Sequence, residues 1–119
     1  MKTLRLAWLG IRTDDYEATV RLFRDTLGLA TELEEPRTVE LSLPDGARVQ
    51  LFAPGHRYHE ALAGSGPVPL FEVDDLDEAE RRLRGEGLDV GERESDSAWE
   101  WFDFRGPDGN LYELARRRG

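Results

Sequence analysis

Gly106-Pro107-Asp108-Gly109, followed by Asn110-Leu111-Tyr112-Glu113-Leu114, is the stretch on which the reading of the fold turns. Proline presets φ at the second position of a turn, and glycine accepts the positive φ that closes one. Before the turn runs Trp99-Glu100-Trp101-Phe102-Asp103-Phe104. Residues 99–114 therefore read as a β-hairpin. Side chains alternate along a strand, so Leu111 and Glu113 share one face. If that face is an inner one, its carboxylate is costly unless it is paired or bound to a cation. Glu113 is thus the first residue to ask about function.

The rest of the chain places this hairpin in a larger pattern. Leu4 to Ile11 is a largely apolar first strand. Asp14 and Glu17 are spaced like a capping box, and a helix follows with Tyr16, Val20, Phe23 and Leu27 as its apolar stripe. Gly28 stops it. Strands are expected at Leu29 to Leu33, Thr38 to Leu43 and Arg48 to Phe52, with Pro44-Asp45-Gly46 as a turn. Ala53 to Pro67, rich in glycine and proline, is a connector with a short helix at Arg57 to Leu62. The order then begins again. Val68 to Val73 is a strand, Leu76, Ala79 and Leu83 mark a helix face, and Gly87 ends that helix. Leu88 to Val90 starts a strand, Glu92 to Ser97 is a polar loop or strand end, and the hairpin closes the unit.

The repetition shows in offsets. Asp14-Asp15-Tyr16 matches Asp74-Asp75-Leu76 at a shift of 60, Gly28-Leu29 matches Gly87-Leu88 at 59, and Pro44-Asp45-Gly46 matches Pro107-Asp108-Gly109 at 63. The expectation is an α+β fold of two βαβββ modules related by a pseudo-two-fold, forming one cupped mixed sheet. Module one covers about residues 1–53, the connector 54–67 and module two 68–119. Each small sheet has one apolar face, too little to be stable alone.

Composition narrows the function. The chain has 119 residues, 39% hydrophobic and 34% charged, with a net charge of −9. That charge disfavours nucleic acid, which needs a basic face. No apolar run approaches the ~20 residues of a membrane span. There is no cysteine, hence no disulfide and no thiolate nucleophile or ligand. Asp14 and Asp15 interrupt any apolar leader, and the expected location is cytoplasmic.

The two βαβββ units, the stretch Asp14-Asp15-Tyr16…Phe23-Arg24-Asp25-Thr26-Leu27-Gly28-Leu29, the stretch Phe71-Glu72-Val73-Asp74-Asp75-Leu76 and the ending Gly106 to Leu114 resemble the vicinal oxygen chelate superfamily. That is the group of glyoxalases, bleomycin-resistance proteins and extradiol dioxygenases. The resemblance implies a divalent metal held in the cup by residues of the first and last strand of each module. Carried onto this chain, those positions are Trp8 and Val68 in the first strands and Gln50 and Glu113 in the last. Trp8 and Val68 stand where the family usually has histidine, and neither binds a metal. One amide and one carboxylate make a poor zinc, nickel or iron site. No metal and no other cofactor is therefore expected. The resemblance also implies a homodimer.

Trp8, Gln50, Trp99, Trp101 and Glu113 are the expected ligand-binding residues. Aromatic walls suit flat or cationic molecules. The bland reading of the tryptophans is core filling. Glu113 either lines a cavity, hydrogen-bonding a ligand or acting as a general base, or it faces solvent or pairs with an arginine such as Arg48. No catalytic residue is assigned beyond Glu113 as a candidate. His56 and His59 form a His-x-x-His pair in the connector, most simply exposed. Asp14, Asp15, Asp74 and Asp75 are expected as helix caps, and Arg116-Arg117-Arg118 as a solvated basic tail. The functional expectation is a metal-independent binder of a small organic molecule, similar to bleomycin-resistance-type proteins. The alternative is a lyase, isomerase or dioxygenase using a divalent metal on Glu113 and Gln50.

Overall fold

A computed structural model describes residues 1–119. Residues 8–67 form one compact unit, and residues 1–7 with 68–119 form another, so that strand β1 (Thr3–Arg12) contributes to both.

In the unit of residues 8–67, β1 is followed by helix α1 (Tyr16–Val20) and then by β2 (Ala30–Glu35), β3 (Thr38–Ser42) and β4 (Arg48–Phe52). A short helix, α2 (Arg57–Ala61), sits in the connector. β4 runs parallel to β1 and antiparallel to β3, which is antiparallel to β2. Val20 packs on Val39, Leu41, Val49 and Leu51, with Leu9, Ile11, Tyr16 and Phe23 around them. These are alternate strand residues, so Val20 of α1 lies on one sheet face, and Trp8, Gln50 and Phe52 lie on the other.

The second unit repeats the plan. β5 (Val68–Val73), helix α3 (Leu76–Gly85), β6 (Glu94–Ser95), β7 (Trp99–Arg105) and β8 (Leu111–Arg117) follow in order. β8 runs parallel to β5 and antiparallel to β7, which is antiparallel to β6. Leu76 and Ala79 of α3 pack on Val73, Phe102 and Leu114. The register repeats as the offsets require. Gly10 is paired with Gln50 in one unit and Leu70 with Glu113 in the other. The mixed α+β class with two βαβββ repeats is as expected.

The turn that decided the reading is built as its residues dictate. Gly109 N–H donates to Gly106 O at 3.0 Å, and Gly109 has φ of 83°. The Tyr112 hydroxyl donates to Asp108 at 2.6 Å and so braces the turn from the strand.

Several local expectations are corrected. Past Val20 the first helix widens into a π-helical stretch, Arg21–Thr26, and Leu27 N–H donates to Leu22 O, five residues back. A wider turn shifts the phase, so Leu27 leaves the apolar stripe and is 58% exposed. Asp15 is the N-cap of α1 but makes no side-chain cap, and Asp14 turns to His59 instead. Asp74 accepts from Lys2 N–H. Only Asp75 caps with its side chain, accepting from Glu78 N–H at 3.0 Å. Asp75→Ala is expected to cost about 1 kcal/mol in urea unfolding, and Asp15→Ala far less. Leu88 to Val90 makes no strand, only a bridge from Val90 to Phe104. The basic tail is mostly strand. Arg116 and Arg117 end β8, where Arg116 reaches Glu100 at 3.3 Å and Arg117 reaches Glu72 at 3.6 Å.

Candidate functional site

The expected site residues fall in two groups, one in each unit, both on the sheet face opposite the core. In the second unit the register fixes the group. Phe102 and Leu114 are a cross-strand pair in the core, so the next pair, Asp103 and Glu113, faces the other way. Trp101 opposite Ala115 and Trp99 opposite Arg117 continue that face, and Glu94 of β6 lies opposite Trp101. The hairpin thus sets Trp99, Trp101, Asp103 and Glu113 side by side, as its alternation required.

Directly opposed strand residues hold their Cβ atoms roughly 5 Å apart, and like charges there repel. Glu113 is in that position against Asp103. Burial pushes its carboxyl pKa up to about 7, and the charges on Asp103 and Glu94 push the same way. Neither a hydrogen bond nor a cation acts in the opposite direction. No arginine pairs with Glu113, whose side chain is half-buried, and Arg48 pairs with Glu40 instead. Near neutral pH the group therefore spends a large share of its time as the neutral acid, able to donate one hydrogen bond as well as accept.

Trp99 is not an open wall, because the Arg117 guanidinium lies 4.5 Å over its ring. Trp101 carries no such cover among the cation–aromatic contacts. A groove of about 350 Å³ in this unit is lined by Met1, Ala79, Arg82, Leu83, Glu86 and Leu114. It is on the helix side and includes none of the candidate residues.

The other group is built differently. The Trp8 indole N–H donates to Gln50 Oε1 at 3.1 Å. Gln50 Nε2 donates to Thr38 Oγ1 at 3.1 Å, and the Thr38 hydroxyl donates to Leu51 O at 2.8 Å. Both ends of the Gln50 amide are engaged. The indole lies across Gly10, where an added Cβ would overlap its ring. Phe52 meets the rings of Trp8, His56 and Tyr58.

The connector histidines are not a ligand pair. His59 is buried, with Nδ1 3.2 Å from the Arg12 guanidinium and Nε2 2.9 Å from Asp14. Arginine only donates, so Nδ1 accepts and the N–H sits on Nε2, facing the carboxylate. Arg12 also donates to His59 O at 2.7 Å, which ties α2 to β1. His56 Nδ1 accepts from Tyr58 N–H at the start of α2.

Two βαβββ repeats, each with its first strand parallel to its last and with one acid or amide from that last strand on the face opposite α1 or α3, define a class of scaffold. Residues 5–114 match the model of the Glyoxalase/Bleomycin resistance protein/Dioxygenase superfamily, and the chain belongs to that superfamily. No curated protein matches it significantly. Among solved structures, a glyoxalase/bleomycin resistance protein/dioxygenase superfamily member from Vibrio splendidus is similar, at 26% identity and a TM-score of 0.70, over 98% of this chain and 100% of that one. Methylmalonyl-CoA epimerase from Streptomyces coelicolor, in complex with 2-nitronate-propionyl-CoA, is 23% identical, with a TM-score of 0.66 over 99% of this chain and all of that one. An extradiol ring-cleaving dioxygenase from B. fuscum is 19% identical, with a TM-score of 0.77 over 99% of this chain. The match spans 34% of that dioxygenase chain.

The metal that the superfamily resemblance implies does not fit these residues. Trp8 and Val68 offer no donor atom for it, and Val68 is fully buried. The Gln50 oxygen already accepts the Trp8 N–H. No three His, Cys, Asp or Glu side chains converge to hold an ion. Asp103 and Glu94 were not singled out from sequence, although counting back from the turn places Asp103 across from Glu113. Thr38 and Gly10, which hold and accommodate the Trp8 arrangement, gave no sequence signal.

Proposed function

We propose that the chain is a metal-independent binder of a small organic molecule, seated on the helix-free face of the second repeat against Glu113 and Trp101. The observation that carries this reading is a carboxyl with no internal partner, raised to about 7, on a face that also presents an indole. Such a carboxyl can donate to a ligand carbonyl or ring nitrogen. When ionised it can accept from a ligand ammonium, and the charges of Asp103 and Glu94 favour that form of ligand. Trp101 supplies a planar apolar contact. The poor fit of the chain's donors to a metal supports the same reading.

Titration calorimetry with zinc, nickel, manganese and ferrous iron tests the metal half, and no stoichiometric heat is expected. Planar aromatic amines and amides, titrated in EDTA and followed by tryptophan fluorescence, test the ligand half. The compounds that bind should lose about tenfold or more in Glu113→Ala and in Trp101→Ala. Tight metal binding abolished by Glu113→Ala would instead favour a metal-dependent lyase, isomerase or dioxygenase. The protein is further proposed to work as a homodimer, which sedimentation velocity would check; a monomer at every concentration would remove that part.

A further inference from the structure

The faces opposite α1 in the first repeat and α3 in the second differ in one respect that the sequence repeat does not announce. On the second repeat the last-strand acid has no partner. On the first repeat the side chains of the corresponding face all have partners: Arg48 with Glu40 at 3.0 Å, Ser42 with Glu32 at 2.7 Å, Gln50 with both Trp8 and Thr38, and Arg12 with the backbone carbonyl of His59.

We infer that Trp8 is the resident occupant of the first repeat's site, an indole held there by the chain itself, which bars both a metal and an external ligand from that repeat. Three independent contacts define the seat. The Gln50 oxygen is aimed at the indole nitrogen and is fixed from behind by Thr38, itself buried and anchored to Leu51 O. Gly10 presents bare backbone to the ring, and no other residue type leaves room for it. Phe52 closes one side at a ring separation of 6.3 Å. An acceptor aimed at the nitrogen, a flat floor and an aromatic side make a site for an indole-sized planar N–H donor. Trp8 is therefore the residue that fixes which repeat can take a ligand. This goes beyond the reading above and stands even if the second repeat binds nothing.

The test empties the seat and offers the fragment back. In Trp8→Ala, indole should bind and raise the melting temperature in a saturable way, beyond any shift that it gives the parent protein or Trp8→Ala with Gln50→Leu. 1-Methylindole has the same ring without the N–H, and it should bind about tenfold more weakly. Equal binding of the two compounds, or stabilisation by neither, would overturn the assignment. Should Trp8→Ala fail to fold even with indole present, the parent protein still decides. The Trp8 indole N–H should exchange with deuterium markedly more slowly in the parent than in Gln50→Leu. Equally fast exchange in both would sink the inference. Both readouts concern the first repeat alone, so they are separable from any failure of ligand binding at Glu113.

Discussion

Glu113→Gln is expected to be more stable than the parent at pH 8, by about 3 kcal/mol, and to lose that advantage by about pH 4. The sign follows from the direction of the shift. The folded carboxyl titrates at about 7 against an ordinary 4.5, so the folded chain holds its proton over an interval in which the unfolded chain has lost it. Stability from this group is fully present below pH 4.5 and drains away as pH rises through 7. Above that, the folded protein carries a half-buried charge that Asp103 and Glu94 repel and no cation offsets. Glutamine keeps the shape, removes the charge and adds a donor that can face Asp103. Urea unfolding at several pH values measures this directly. The parent should weaken between pH 5 and 8, and the variant should hold nearly level. A variant no more stable than the parent at pH 8 would mean that Glu113 has a partner.

Gly10→Ala is expected to be the other costly change, at about 2–3 kcal/mol, although it adds a single methyl group. Glycine to alanine within a strand ordinarily gains a few tenths to about 1 kcal/mol. Here the new Cβ falls inside the Trp8 ring, so the indole must leave its position. Its hydrogen bond to Gln50 goes with it, and the Gln50 oxygen is left without a donor. Overpacking and an unmet acceptor together outweigh the propensity gain. The control is a double-mutant cycle. In a Trp8→Ala background the same substitution has nothing to displace and should be neutral or mildly stabilising. Equal cost in both backgrounds would show that the indole is not what Gly10 accommodates.

Much of the architecture could be read from local chemistry. Glycines at the turn positions, an aspartate immediately before each turn's closing glycine and the offsets of 60 and 63 fix two copies of one unit, and the strand register keeps those offsets. What failed were judgements that depend on partners distant in sequence. Asp14 looks like a cap until His59, 45 residues on, is in place. Leu27 fits an α-helical stripe until a π-helical stretch turns it outward. Arg116 and Arg117 look like a tail until Glu100 and Glu72 extend the last strand past Leu114.

The site was legible by face but not by state. Alternation alone places Glu113 beside Trp99 and Trp101. It does not tell that Arg117 covers Trp99, or that the charges of two further carboxylates act on the acid. Trp8 and Gln50 were aligned from the repeat, yet nothing in one dimension reveals that they bond to each other. The resemblance to a metal-binding superfamily supplied the positions, and the side chains at those positions changed their meaning.

The most direct measurement is the titration of the Glu113 side-chain carboxyl by carbon NMR, assigned with Glu113→Gln and repeated with one equivalent of zinc. A midpoint near 7 that zinc does not move is expected. A midpoint near the ordinary 4.5, or one driven far down by stoichiometric zinc, would contradict it.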